Sequence, residues 1–243
     1  MDGSIAENKN ASLEKQRPLV QQAYEQIREK IIQLQFLPGQ FLNEAAICKT
    51  LEMGRTPVHQ ALQLLQLEGL IEILPRKGVI VQPDGANEIL KILEARMTIE
   101  PELARMAALR AGRGELSTGD MSELLELAKE TDPDIDPPDI DLFVTNDRRF
   151  HRKIGDLAEN SIMSDFAKTL HERSCRFWYL NLWQTLNVEL SRGMHIDIAQ
   201  SIVSGEADAA ASAMRAHIEN LSNRLKRLPP NAFGMGQGQP VPR

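Results

Sequence analysis

The sequence predicts a mostly α chain in two parts, with a small β-hairpin confined to the first. Three observations carry this. Apolar residues recur at three- and four-residue steps through most of the 243 residues. Two short β-branched runs, Leu70–Leu74 and Val79–Val81, stand together around Pro75-Arg-Lys-Gly78. After Pro83-Asp-Gly85 every segment with a period has the helical one. The division is therefore a mobile leader over 1–16, a small mixed domain over 17–82, a linker over 83–85, an all-α domain over 86–228 and a disordered tail over 229–243.

In the front domain, a first helix begins at Pro18 and carries Val20, Ala23, Tyr24, Ile27, Ile31 and Leu34 on one stripe. The turn Phe36-Leu-Pro-Gly39 ends it. Asn43 is placed to cap a second helix, with Glu44 in its first turn and Ala46, Ile47 and Leu51 facing inward. Gly54 then supplies a tight turn, Thr56 the N-cap of a third helix and Pro57 its first helical residue, and Gly69 ends it. Val58, Ala61, Leu62 and Leu65 form the inner stripe of this third helix, leaving Arg55, His59, Gln60 and Gln63 on the other side, with Thr56 at its N-terminus.

Those outward side chains can meet base edges and phosphates when a helix N-terminus enters the major groove of DNA. An ordinary amphipathic bundle helix would show the same inner stripe. The hairpin decides between them. Helix, helix, turn, helix and then a hairpin is the order of a winged helix-turn-helix. Arg76 and Lys77 at its tip would gain by releasing counterions from DNA, although a charged tip also serves solubility.

Composition agrees with one domain facing nucleic acid rather than the whole chain. The formal net charge is −6, yet Lys15 to Lys77 holds eight basic residues against six acidic ones. Cys48 and Cys175 show no metal or redox spacing and read as free thiols in a reducing cytoplasm. No signal-peptide core and no membrane-length apolar run is present in the sequence, so the expected location is cytoplasmic and no membrane partner is expected.

The back domain reads as six helices: Ile89 to Met106, ended by Gly112 and Gly114; Met121–Lys129; Leu142–Leu157; a long one from Ile162 to about Val188; Met194–Val203; and Glu206–Leu225. A proline-rich acidic loop over Thr131–Pro138 precedes the third. Three histidines fall on apolar faces of different helices. His151 lies one turn after Asp147 on the stripe of Phe143 and Ile154, His195 shares a face with Ile198, Ala199 and Ile202, and His217 lies among Met214, Ile218 and Leu221. Each alone fits a hydrogen-bonded core histidine. Together with an inward carboxylate at i−4 they fit one divalent cation that satisfies all four. His171 falls off the Phe166/Leu170/Phe177 stripe and is expected in solvent. Arg96 points into the bundle and needs an anion, either Glu100 one turn on or a bound carboxylate.

Residues 18–82 resemble the N-terminal domain of GntR-family transcription regulators through Leu37-Pro-Gly-Gln-Phe-Leu-Asn-Glu44, Gly54-Arg-Thr-Pro-Val58, Ala61-Leu62, Leu67-Glu-Gly-Leu70 and Pro75-Arg-Lys-Gly78. The resemblance implies that Arg55 reads a base, Thr56 holds a phosphate and Gly78 of the wing approaches the minor groove. His59 stands where the family has arginine, and an imidazole cannot make the bidentate, permanently charged contact of a guanidinium.

The segments Asp147-Arg-Arg-Phe-His151, His195 and Met214-Arg-Ala-His217 resemble the metal-binding positions of the FCD effector domain of the FadR subfamily, and Glu94-Ala-Arg-Met-Thr-Ile-Glu100 is similar to another of its patterns. This implies one metal per chain on Asp147, His151, His195 and His217. Zinc is favoured, with nickel or manganese also suited to three imidazoles and one oxygen. It further implies a small carboxylate effector held by the metal and Arg96, a homodimer and a palindromic double-stranded operator. The chain is then a regulator, by family habit a repressor, and not an enzyme. The other readings of the same histidines are a purely structural metal and a hydrolase using metal-bound water. The latter lacks an HExxH motif or a spare base.

Overall fold

The computed structural model describes residues 18–83, 86–129, 140–177 and 187–227. Leader, acidic loop, tail and most of the linker lie outside them, as does the last part of the expected long fourth helix. The chain divides into two units, 1–84 and 85–243.

In the first unit, α1 (Leu19–Ile32), α2 (Glu44–Leu51) and α3 (Arg55–Leu67) pack with a three-stranded antiparallel sheet of β1 (Phe41–Leu42), β2 (Ile71–Leu74) and β3 (Gly78–Val81). The core is aliphatic: Ala23, Ile27 and Ile31 of α1, Ile47 and Leu51 of α2, the whole inner stripe of α3, and Ile71, Val79 and Val81 of the sheet. Ala46 is exposed, contrary to expectation, because α2 is a short helix whose buried face is covered by Ile47 and Leu51 alone. Asn43 does cap α2, its side chain accepting from Ala45 N at 2.8 Å.

Two further features of this unit differ from the sequence expectation. Helix α3 begins at Arg55 with Gly54 in the N-cap position, so Thr56 lies within the first turn and caps nothing. The reason is that the first four amides of any helix have no internal acceptor. Pro57, lacking an N–H, therefore fits inside the first turn as well as at its start. Strand β1 is the second difference. Two residues are too few to show an alternating pattern, and they pair through Phe41↔Ile80 and Leu42↔Val79 on the free edge of β3. That edge explains Gly78. Its φ is +110°, and a Cβ there would stand 2.6 Å from the Leu42 carbonyl oxygen. Gly69 at φ 71° follows α3 as expected.

In the second unit, α4 (Ala86–Gly112) is the central helix. It packs against α6 (Ile140–Ala158), α7 (Ser161–Phe177), α8 (Val188–Val203) and α9 (Ala207–Lys226), while α5 (Thr118–Leu127) rests on α6 and α8. Helix α8 starts well before Met194, at Val188. Asn187 caps it by accepting from Leu190 N at 2.8 Å, so Val188 belongs to α8 and not to the preceding helix. Between α8 and α9, Gly205 adopts φ +74°, and a Cβ on it would meet Gly112 Cα at 2.8 Å. Helix α9 and the end of α4 come together at that glycine contact.

Candidate metal centre and nucleic-acid interface

Five helices send polar side chains into the bundle, α7 among them with His171 and Ser174. Helix α4 carries Arg96 and Glu100 on the stripe that otherwise holds Ile89, Ile92, Leu93 and Leu103. Helix α6 brings Asp147 and His151, helix α8 His195 and helix α9 His217. Helical spacing puts each on the inner face of its own helix, and packing around α4 brings them together. One ligand atom from each of Asp147, His151, His195 and His217 lies within 4.8 Å of the others. The imidazole rings of His151, His195 and His217 are mutually packed, with centroids 4.7 to 5.6 Å apart.

The donor atoms suit a cation. Asp147 Oδ1 lies 3.3 Å from His195 Nε2 and 3.8 Å from His151 Nε2. Both nitrogens are buried without a well-aligned hydrogen-bond partner. Tetrahedral zinc with N and O ligands near 2 Å places neighbouring ligands about 3.3 Å apart, so small movements would close the set. Burial pulls the His195 and His217 imidazoles below their ordinary range, His217 far below, which leaves them neutral with lone pairs to offer. Burial alone would raise the Asp147 carboxyl. The close approach of the His171 and His195 nitrogens instead holds it well below the usual carboxylate range, so it is charged.

His171 departs from the sequence expectation. It is 4% exposed, not solvated, and its Nε2 lies 2.9 Å from Asp147 Oδ2. Its other nitrogen, Nδ1, is 3.6 Å from Cys175 Sγ, and burial lowers its pKa to about 4. Burial also pushes the Cys175 thiol upward, so it stays protonated and can donate to Nδ1, which leaves Nε2 as the N–H that faces Asp147. Asp147 is thereby held on Oδ2 and leaves Oδ1 facing the other imidazoles, the arrangement by which an outer partner orients a metal-binding carboxylate. Cys175, one turn from His171, is the signal of this that the sequence contains.

Arg96 is fully buried. Its Nε and Nη2 donate to Glu100 at 2.5 and 3.2 Å, and Nη1 donates to Ser174 Oγ at 2.7 Å. Glu100 in turn lies 2.7 Å from His151 Nδ1. Burial would raise the Glu100 carboxyl, but Arg96 and His151 hold it far below its ordinary value. The anion that Arg96 needs is thus present inside the bundle, one turn along its own helix. A small, partly open cavity adjoins this cluster, and Glu100, His151, His171, Arg148, Arg152 and Glu172 are among the residues that line it.

On the first unit, the N-terminal turns of α3 expose Arg55, Thr56, His59 and Gln60, and the three-residue tip between β2 and β3 exposes Arg76 and Lys77. Glu44 of α2 lies between two of these groups, 3.0 Å from Arg55 Nε and 3.1 Å from His59 Nδ1. The His59 hydrogen bond, with help from Arg55, lowers the Glu44 pKa. Tyr24 donates to Glu68 at 2.5 Å and accepts from Arg28 at 3.1 Å, fixing the far end of α3 to α1.

Both units match known families. Residues 19–81 match the bacterial regulatory proteins of the gntR family, and residues 91–220 match the FCD domain. The chain belongs to the GntR family of transcription regulators and carries an FCD domain. It is 29% identical over 230 residues to the Uxu operon transcriptional regulator of Escherichia coli K12, covering 86% of this chain and 87% of that one. The HTH-type transcriptional repressor RspR of the same organism is 24% identical over 212 residues, covering 87% and 91%. Among solved structures, E. coli McbR/YncC superposes with a TM-score of 0.73 at 17% identity over 87% of this chain and 98% of that one, a likeness of fold. A GntR regulator is not an enzyme, which retires the hydrolase reading of the histidines. Among the described residues no helix is long and apolar enough to cross a membrane.

Proposed function

We propose that this GntR regulator is a cytoplasmic, dimeric repressor whose operator binding is controlled by a small carboxylate bound beside a divalent metal in the FCD domain. The observation that carries the effector half is the buried Asp147, His151, His195 and His217 set, with two orphan imidazole nitrogens turned toward one carboxylate oxygen. Zinc suits these donors, and nickel or manganese would also fit. Once bound, the cation offers an effector carboxylate a positively charged anchor. Asp147 and the three imidazoles hold that anchor, and His171 orients Asp147.

On the DNA side, Arg55 and Gln60 reach base edges from the start of α3, Thr56 meets a phosphate, and Arg76, Lys77 and Gly78 carry the wing toward the minor groove. His59 occupies the groove-facing side of the same turn. Each protomer takes one half of a palindromic operator, as a two-fold symmetric dimer requires. The RspR relative is a named repressor, which supports repression for this chain as well. For the effector to act, it must bind one conformational state better than the other, and the difference in affinity sets how far operator occupancy shifts.

A second reading, a metal that serves structure alone, is favoured by Arg96, which is already satisfied by Glu100 and Ser174. One experiment separates them. Operator binding is measured by fluorescence anisotropy at physiological salt, on DNA from upstream of the protein's own gene, with and without a panel of organic and sugar acids. Sequence-preferring binding that one acid weakens at least fivefold supports the effector reading. Binding that is specific but indifferent to every acid favours the structural metal, and no preferred site at all contradicts control of an operator by this protein.

A further inference from the structure

Glu44, the first residue of α2, lies against the start of α3 and meets two of its exposed side chains. Its Oε1 accepts from Arg55 Nε at 3.0 Å, and its Oε2 lies 3.1 Å from His59 Nδ1. His59 stands one turn beyond Arg55 on α3, and Gln63 one turn beyond His59, so the three form a single exposed row.

The contact with Glu44 decides which hydrogen the imidazole carries. The His59 hydrogen bond, with Arg55 beside it, holds the Glu44 carboxyl below its ordinary value, and a carboxylate can only accept. Nδ1 is therefore the N–H. A neutral imidazole has one N–H, so Nε2 keeps its lone pair and is an acceptor. The neighbour of Nε2 agrees with this, because the Gln63 amide nitrogen, which can only donate, stands 3.3 Å away. That contact is long for a hydrogen bond, and the imidazole is about half exposed, so a base edge can displace it.

An arginine in this place would bring donors alone. Guanine offers two acceptors, N7 and O6, at its major-groove edge and is the usual partner of a guanidinium. A bare Nε2 finds no hydrogen there, nor at thymine O4. The edges that offer one carry an exocyclic amine, N4 of cytosine or N6 of adenine.

We propose that His59 reads an exocyclic amine, cytosine N4 or adenine N6, in each operator half-site, and that Glu44 is the positioning residue that sets this choice by holding the imidazole in its Nδ1–H form. This rests on the operator reading above and names one base class within it. Selectivity against guanine and thymine comes from the Nε2 lone pair, which meets an acceptor at both.

The test uses full-length protein at about pH 8, where an ordinary imidazole is neutral. Preferred sites are selected from random double-stranded DNA by the parent, His59→Arg, His59→Ala and Glu44→Gln. The parent should enrich adenine or cytosine at one position per half-site, and His59→Arg should turn that position to guanine. Glu44→Gln should weaken the preference there by about threefold, since an amide can donate to Nδ1 as well as accept from it. The amine is then removed from the selected site, with adenine replaced by purine or cytosine by 2-pyrimidinone. The loss of affinity should be about threefold greater for the parent than for His59→Ala, and the replacement that produces it identifies the base. Nitrogen-15 spectra of histidine-labelled protein should show a protonated Nδ1 and a bare Nε2 at His59. A guanine or thymine preference at the His59-dependent position overturns the inference. So does an Nε2–H imidazole, or a selected site that is the same for the parent and His59→Ala. Sequence-preferring binding in any of these cases leaves the operator reading standing, whereas no preferred sequence at all overturns both.

Discussion

His171 and Arg96 show how single residues organise the effector domain. His171 Nε2 takes the Asp147 oxygen turned away from the other imidazoles, at 2.9 Å. Removing such an outer partner typically costs ten- to a hundredfold in metal affinity. His171→Phe, which keeps the volume and removes the donor, should weaken zinc binding by that factor in a competition assay while the folded helix content is unchanged. An affinity equal to the parent's would mean that Asp147 needs no help. The buried Arg96–Glu100 pair makes a different prediction. Arg96→Met leaves Glu100 charged and buried, and breaking one side of such a pair costs about 3–5 kcal/mol, a large fall in melting temperature. The pair itself is legible in the sequence as one of two options for Arg96, since i, i+4 spacing puts Glu100 within reach. The partnership of His171 with Asp147 is not, because it depends on α7 packing against α6, and Cys175 one turn along marks only the face of α7 on which His171 lies.

Titration follows from the same cluster. In the metal-free protein the folded pKa of His171 is lowered to about 4, and those of His195 and His217 are lowered too. Unfolded histidines take up protons below about pH 6.5, whereas these folded ones do not, so the unfolded state binds more protons there. Stability should be flat from pH 8 to about 6.5 and fall steadily from there to about 4. Asp147 and Glu100, held low in the folded state, extend the fall below about pH 4. Urea unfolding of chelator-treated protein across this range checks the sign. A midpoint that rose on acidification would contradict it.

At the scale of elements, periodicity alone reveals the helices of both units, because each buries one aliphatic stripe and the stripe is visible in the chain. Ends are less legible. Helix α3 starts at Arg55 rather than at a Thr56 cap since first-turn amides need no partner, and β1 is invisible in the sequence since a two-residue strand is defined by its neighbour. The wing shows that one residue can serve two purposes. Family resemblance assigns Gly78 a minor-groove role, and the fold assigns it a steric one, against the Leu42 carbonyl. Gly78→Ala should therefore cost about 1–3 kcal/mol of stability in addition to any loss of DNA affinity. An alanine variant with unaltered melting temperature would show that the wing relaxes freely. On α3, the exposed His59, proposed to face the groove, can be probed by adding charge. His59→Arg adds a permanent charge and should steepen the salt dependence of operator binding by about one unit. An unchanged slope would place residue 59 away from phosphate, where Glu44 holds it.

At the scale of the whole molecule, one chain joins a GntR DNA-binding unit to an FCD unit, and family membership fixes that much. The division is legible because the two halves differ in pattern: a hairpin with a basic tip and an Arg-Thr-Pro helix in front, inward histidines behind. The grouping of Arg148, Arg152, Lys168 and Glu172 around one cavity is not, since they look like ordinary surface charges until two helices are packed side by side. Coupling between the units is a difference in free energy, and a metal-anchored acid can supply it only if the metal is present.

The proposed cation site of Asp147, His151, His195 and His217 is central to the proposed function, and it is tested most directly by elemental analysis of protein purified without chelator or nickel resin. The same measurement is repeated on His195→Ala and His217→Ala. About one divalent metal per chain is expected in the parent and little in either variant, as a four-ligand site requires. A parent free of metal, or variants that retain a full equivalent, would contradict the site and leave the three histidines as core packing.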